Sequence, residues 1–340
     1  MSAQGNIRKW SKRVLCVLMQ WDYCDSNRGP GGDKPWFLDS ISQLVSDAQP
    51  FWYDDYVGDP AELRRQLLRR AEEYAPDLIF HPTYTDQLDP ATLDTLKAKW
   101  PTCGWFGDDT WRFDNYSSRL APHYTHVLTT DVFAPAKYRA IGVEPLLTQW
   151  AGLRPAANPG PDAMRFSYDV SFVGGFSPAR AWFVALLSKM GIQVECFGNG
   201  WPNGKVSPEV MEHIFRNSRI NLNLSNSVPR DLRFALGGPR NLVNLLRATK
   251  TSEQIKARNF EIPLAGGFQL TNYVAGLERY LEIGKEVAVY SSPEECAAQI
   301  RRYLADESER ASVAAAGYAR CAAEHTYLRR MEQVFTRIWP

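Results

Sequence analysis

Apolar positions along this chain follow two periods that alternate. "RVLCVLM" (13–19), "DLIFH" (77–81), "TCGWFGDD" (102–109) and "THVLTTD" (125–131) are apolar runs of strand length. Between them, apolar residues recur three and four positions apart, most clearly in "PAELRRQLLRRAEEY" (60–74), then in "PATLDTLKAKW" and "PAKYRAIG". A glycine-rich loop, "SNRGPGGDKP", separates the first strand from the amphipathic "WFLDSISQLV", and "PFWYDD" is a further strand. Short strands alternating with helices of about ten to fifteen residues predict βαβ units and a parallel sheet.

The rhythm stops at "AGLRPAANPGPDAMRF" (151–166), whose Pro, Gly and Ala content is that of a linker. It restarts with "YDVSFVGG", "PARAWFVALLSKMG", "IQVECFG", "SPEVMEHIFRNS", "RINLNLS" and "VAVYSS", and a long helical run covers "PEECAAQIRRYLADESERASVAAAGYARCAAEH". The expected organisation is a Rossmann-like α/β domain over 1–152, a linker over 153–166 and a second Rossmann-like domain over 167–325. A final amphipathic helix is expected over 326–340. A length of 340 residues suits this division, since a single core stops growing at roughly 250–300 residues. Ligands of such sheets sit at the carboxyl ends of the strands, so the chemistry is sought there.

Composition narrows the function classes. The net charge of +1 gives no field that would gather nucleic acid or an anionic surface over the whole molecule. The six cysteines are scattered without a C-x-x-C pair, which reads as reduced thiols in a cytoplasmic protein and not as a zinc site. "MSAQGNIRKWSKRVLCVLMQWDYC" resembles a signal peptide, but its apolar run is short and no small-residue cleavage site follows, so a first strand is expected. No apolar segment approaches the ~18 residues of a membrane span. Between Ser225 and Glu253, Arg230, Arg233, Arg240, Arg247 and Lys250 face one acid, Asp231. That stretch is either a solvated excursion or a basic flap drawing in a phosphorylated ligand.

In the second half, "FVGGFSPAR" ends a strand in Gly174 and Gly175 and starts a helix at Pro178, with Arg180 in its first turn. Free N–H groups at the helix start, glycine for close approach and a bidentate arginine together suit a phosphate. "CFGNGWPNG" places Gly198, Asn199 and Gly200 after the next strand, with Gly204 one position too late for G-x-G-x-x-G. It also follows the second strand of its domain, which argues against a nicotinamide enzyme. Trp201 either walls a base pocket or plugs the sheet end. Glu261 lies in the apolar "RNFEIPLAGGF", eight positions after Glu253. An acid at a helix start is favoured by the dipole and can accept two hydroxyl hydrogen bonds, as a ribose offers them.

"VSFVGGFSPAR", "FGNGW", "RINLNLS", "KARNFEIPLAGGFQLTNY", "GKEVAVYSSPEE" and "AAAGYARCAAEHTYLRRM" together resemble GT-B glycosyltransferases, and more narrowly the group 1 enzymes related to spore-maturation proteins. Over the first half the resemblance is confined to strand order and "GWFGDDTWRF". It implies two Rossmann-like domains facing each other across a cleft, a C-terminal helix over 326–340 that packs back toward the first domain, and a nucleotide-diphosphate sugar as co-substrate. In retaining enzymes of this kind two glutamates stand eight positions apart. Glu261 would then hold the donor ribose and Glu253 would lie near the transferred sugar, although "QIK" replaces the usual Phe-Gly after Glu253.

Donor contacts are further implied for Arg180, Arg258, Asn259 and the turn Gly266–Gly267, with no metal, since no D-x-D occurs. The first half would bind an unidentified glycan, lipid-linked or protein acceptor. His81, Asp108 and Asp109 stand at strand ends there as proton-transfer candidates, with Asp33 in the glycine-rich loop behind them. Each has a plainer reading: a structural histidine, and an aspartate pair capping the next helix. His325 in "EHTY" is expected to position the last helices. Two rivals remain, an epimerase of the same fold and a catalytically silent nucleotide-sugar-binding subunit. No nucleic-acid partner is expected, and membrane contact would be peripheral at most.

Overall fold

The computed structural model describes residues 7–85, 87–155, 166–225, 231–248, 250 and 252–340. The chain divides into two compact units, Met1–Trp150 with Tyr327–Pro340, and Ala151–Thr326. Most of the expected linker, 156–165, and Arg230 of the basic stretch lie outside the described residues.

The first unit is built on a six-stranded parallel sheet in the order β2-β1-β3-β4-β5-β6. Its strands are β1 (Trp10–Leu18), β2 (Val45–Trp52), β3 (Leu78–Pro82), β4 (Thr102–Phe106), β5 (His126–Thr129) and β6 (Pro145–Leu147). Every residue of β3 and β4 is buried, because helices cover both faces of a parallel sheet; this is why they read as continuous apolar runs. Three of the expected helical stretches are α2 (Pro60–Tyr74), α3 (Pro90–Lys97) and α6 (Ala134–Ala140), whereas the amphipathic "WFLDSISQLV" holds only a π-helical turn (Lys34–Leu38) and a three-residue helix before its Val45 opens β2. Short turns, α1 (Asp39–Ile41), α4 (Asp109–Arg112) and α5 (Ser118–Leu120), fill the rest.

Helix α2 shows how local signals set an element. Asp59 accepts the amide of Glu62 at 2.9 Å, Pro60 occupies the first turn, and Ala75 closes the helix in the left-handed region. Leu63, Leu67, Ala71 and Tyr74 fall on one face and are buried against the sheet. Each of the two leucines contributes roughly 1.5–3 kcal/mol on burial.

The second unit carries a five-stranded parallel sheet in the order β11-β10-β9-β7-β8. Its strands are β7 (Tyr168–Val173), β8 (Glu195–Phe197), β9 (Ser218–Asn223), β10 (Gln269–Asn272) and β11 (Ala288–Tyr290). Its helices are α7 (Pro178–Lys189), α8 (Pro208–Arg216), α9 (Leu232–Leu236), α10 (Pro239–Arg247) and α11 (Arg258–Leu264), then α12 (Pro293–Ala305) and α13 (Glu307–Glu324). The long helical run expected after residue 292 is two helices, because Asp306 leaves helical geometry and caps α13 through the amide of Glu309 at 2.8 Å. His325 places Nε2 2.8 Å from the carbonyl oxygen of Tyr280, a structural tie at the end of α13.

The last helix, α14 (Tyr327–Ile338), packs in the first unit. Its Tyr327 stacks on Trp36 at 5.7 Å, and Phe335 meets Trp10 edge-on at 5.9 Å. Among the described residues no helix is long and apolar enough to cross a membrane.

Candidate functional site

In the second unit, β9, β10 and β11 are adjacent and parallel, so their carboxyl ends share one edge. The asparagines of "RINLNLS" are buried but satisfied: Asn221 donates to the carbonyl of Phe215 at 2.9 Å and accepts from Ser171 Oγ at 3.1 Å. Just past β9, the Ser225 amide donates to Asn272 Oδ1 at 3.0 Å. Ser225 Oγ and Asn272 Nδ2 then both donate to Glu253 Oε2, at 2.7 and 2.8 Å. Glu253 is thereby fixed across two strand ends.

A pocket of about 460 Å³ opens at this point. It is lined by Arg180, Trp182 and Phe183 of α7 and by Glu253, Asn272 and Tyr290 with the start of α12. The Arg180 guanidinium donates to the carbonyls of Gly175 (Nη1, 2.7 Å) and Leu224 (Nη2, 2.9 Å). Its Nε is buried with no hydrogen-bond partner among the described residues. Burial lowers its pKa, nearby Arg258 acts in the same direction, and Glu253 and Tyr290 offset both. Arginine nevertheless stays charged, so Arg180 is a desolvated cation held next to a second one. Such an arrangement favours an anion.

Arg258 opens α11, which puts Glu261 in the first turn of that helix. The two pair at 2.8 Å, both mostly shielded, with Arg258 lying over the Phe215 ring at 5.1 Å. Three expected donor contacts lie in the packing around α11. Asn259 is fully buried, its Oδ1 accepting from the Lys256 amide at 3.1 Å and its Nδ2 near Thr271 Oγ1 at 3.4 Å, so it braces the turn into α11. Gly266 and Gly267 lie between α11 and β10, at the amino end of that strand and away from Ser225 and Asn272. A Cβ at Gly267 would stand 2.6 Å from Asn221 Nδ2 and 2.7 Å from the Phe215 carbonyl; glycine is there for packing.

The two glycine loops of the sheet edge form one layer. The Gly174 amide donates to the Phe197 carbonyl at 2.9 Å, and the Phe176 amide to the Asn199 carbonyl at 2.8 Å. Gly198, at a φ of +128°, passes so close that a Cβ would sit 2.3 Å from the Gly174 oxygen. Gly175, Asn199 and Gly200 are exposed on this layer. Trp201 is half-buried edge-on against Phe172 (6.1 Å) and Phe176 (5.2 Å).

In the first unit the expected proton-transfer residues divide. His81 is within β3 and buried, Nδ1 2.6 Å from the Tyr124 hydroxyl, and burial pushes its pKa down to about 3. The imidazole is neutral at any ordinary pH. Asp109 is also buried, and its Oδ2 accepts from the hydroxyls of Thr129 and Tyr138, at 2.5 and 2.8 Å. It ties α4 to β5 and α6, and burial raises its pKa to about 6. Both are internal ties and not surface groups. Asp108 precedes α4 half-buried and makes no side-chain cap. Asp109→Ala would leave two buried hydroxyls without their acceptor, an expected cost of about 2–4 kcal/mol read from the urea midpoint.

The glycine-rich loop supplies a different carboxyl. Asp33 accepts the Met19 amide at 2.9 Å just past β1, while Asp54 accepts the amides of Gln20 and Trp21 at 2.8 and 2.7 Å. Two aspartates thus converge on one strand end. Burial first, and Asp54 with it, raise Asp33 to about 7 against the Met19 hydrogen bond. Asp54 was not singled out by sequence reasoning; a D-D pair following a strand was the available signal. Among the described residues, no three His, Cys, Asp or Glu side chains are grouped so as to hold a metal ion.

Residues 180–336 match the family model described as glycosyl transferase-like. No curated protein matches the chain. Among solved structures, Anabaena HepE in complex with UDP and glucose superposes with a TM-score of 0.62 at 13% identity, over 96% of this chain and 99% of that one. Sucrose-phosphate synthase from Thermosynechococcus elongatus gives 0.66 at 10% identity over 96% and 99%. The lipopolysaccharide outer core galactosyltransferase WaaB, in its apo form, gives 0.58 at 11% over 96% and 99%. The fold is therefore GT-B, two Rossmann-like units in succession.

Proposed function

We propose that this chain is a metal-independent glycosyltransferase that moves a sugar from a nucleotide-diphosphate sugar to an acceptor hydroxyl in glycan or glycoconjugate synthesis. The observation that carries it is the convergence of Arg180 and Glu253 on one pocket at the carboxyl edge of the second sheet. Arg180 and Arg258 take the diphosphate, replacing a metal as the stabiliser of the leaving group. Glu261 accepts the ribose hydroxyls after releasing Arg258 to the phosphate, and Glu253, held by Ser225 and Asn272, faces the transferred sugar.

The spacing of the two glutamates supports retention of configuration, in which the leaving phosphate takes the acceptor proton. Asp33, ionised, then orients the acceptor hydroxyl by accepting its hydrogen bond. The narrower kinship with spore-maturation-related enzymes rests on "RNFEIPLAGGF" and "EHTYLRR".

UDP, which HepE holds, is the first probe. Calorimetry should show UDP binding unaffected by chelator and weaker binding of the 2′-deoxy analogue. Glu261→Gln should cost about 1–3 kcal/mol for UDP and erase the discrimination against the deoxy sugar. Loss of binding with chelator sinks the metal-free reading, and undiminished discrimination in the variant sinks the ribose role. Products formed with and without added acceptor separate transfer from epimerisation.

A further inference from the structure

We propose that α9 and α10 form a docking surface for a membrane containing anionic lipids. In α9, Phe234 turns inward and meets Trp182 edge-on at 5.7 Å. That leaves Leu232 and Leu236, one turn apart, outside at 78% and 85% exposure. In α10, Leu242, Val243 and Leu246 share one face and are exposed as well, Leu246 at 77%. Of the fourteen large hydrophobic side chains exposed among the described residues, five fall within these fifteen positions, on two helices that pack against each other.

The charges around the patch select its occupant. Residues 231–248 carry three arginines and one acid, Asp231, a balance of +2. Arg233 is occupied by Asp231 and Glu294 and pins α9 to the start of α12. Arg240 and Arg247, three before and four after Val243, border the apolar face, are exposed, and make no ion pair among the described residues. Leucines on one face with arginines along one margin are the composition of a helix lying in the plane of a membrane interface. Arginine stems bury against the apolar boundary while the guanidinium reaches headgroup phosphates. A second copy of the same helix packed antiparallel would instead set arginine margin against arginine margin.

The test is co-sedimentation of the full chain with vesicles of phosphatidylcholine alone and with added phosphatidylglycerol, at low and high salt. The expected result is binding to the anionic vesicles only, weakened by salt. Leu236→Asp with Leu246→Asp, and separately Arg240→Glu with Arg247→Glu, should each lower it about tenfold or more with unchanged melting temperature, because all four side chains are in solvent. Failure of the parent chain to bind, equal binding to neutral vesicles, or undiminished binding by the variants overturns the proposal. So does a dimer that the leucine variant dissociates in sedimentation velocity.

Discussion

Replacing Arg180 by methionine is expected to weaken UDP binding by about 10²-fold, while uridine binding changes by no more than a few-fold. The guanidinium is desolvated at the pocket wall, it already spends two N–H groups on the carbonyls of Gly175 and Leu224, and its Nε has no partner among the described residues. A charge so placed is costly by itself and gains most from an anion that meets it in the same low-dielectric surroundings; a charge-assisted bond of this kind contributes about 1.5–3 kcal/mol. Methionine keeps the apolar stem, so the Phe172 face under the guanidinium remains covered. Lysine should be intermediate, since it restores the charge without the fork. Calorimetry with both ligands decides it. If uridine and UDP lose affinity equally, Arg180 only braces the loop.

Asp33→Asn is expected to separate stability from activity. Turnover should fall by about 10²-fold or more, because a neutral amide is a poor acceptor for the hydroxyl that the carboxylate orients. Stability should change in the opposite sense. With its folded pKa raised to about 7, the carboxyl keeps its proton in the fold after the unfolded chain has lost it. Its stabilising contribution is therefore full below about pH 4 and decays as pH climbs to about 7, above which both states are ionised. Across that window the parent chain forfeits roughly 3–4 kcal/mol that the asparagine variant does not.

Melting temperatures at pH 4.5 and pH 8 should therefore diverge between the two, with the variant ahead at the higher pH. The parent's turnover should rise through an apparent pKa of about 7, as Asp33 ionises. A variant that melts with the parent at both pH values would show that Asp33 is not buried with a raised pKa. One that retains turnover would place acceptor orientation elsewhere.

Much of this molecule is decided locally and is therefore visible in the chain. Asp59 and Pro60 start α2 and its leucines four apart choose the buried face, because caps and periodicity act within a few residues of themselves. The unbroken apolar runs of β3 and β4 report a sheet covered on both sides. "FVGGFSPAR" announces a strand, a close backbone approach and a helix start carrying Arg180, and the structure has each of these. The family resemblance in "RNFEIPLAGGF" likewise needs no coordinates.

What could not be read is whatever depends on distance between residues far apart in the chain. Asn259 and Glu261 look alike in a site motif, yet one is sealed under Thr271 and the other reaches Arg258. His81 and Asp109 stand at plausible positions, and only packing shows that Tyr124, Thr129 and Tyr138 have claimed them as internal ties. Glu253 owes its place to Ser225, twenty-eight positions before it, and Asn272, nineteen after. The arginines of α10 invite an electrostatic reading in sequence, while the exposure of Leu232 and Leu236 appears only once Phe234 has taken the inward side. Secondary structure follows from interactions within a turn or two of chain. Burial, and with it the pKa of Asp33 and the pairing of Arg180, is set by which distant segments exclude water.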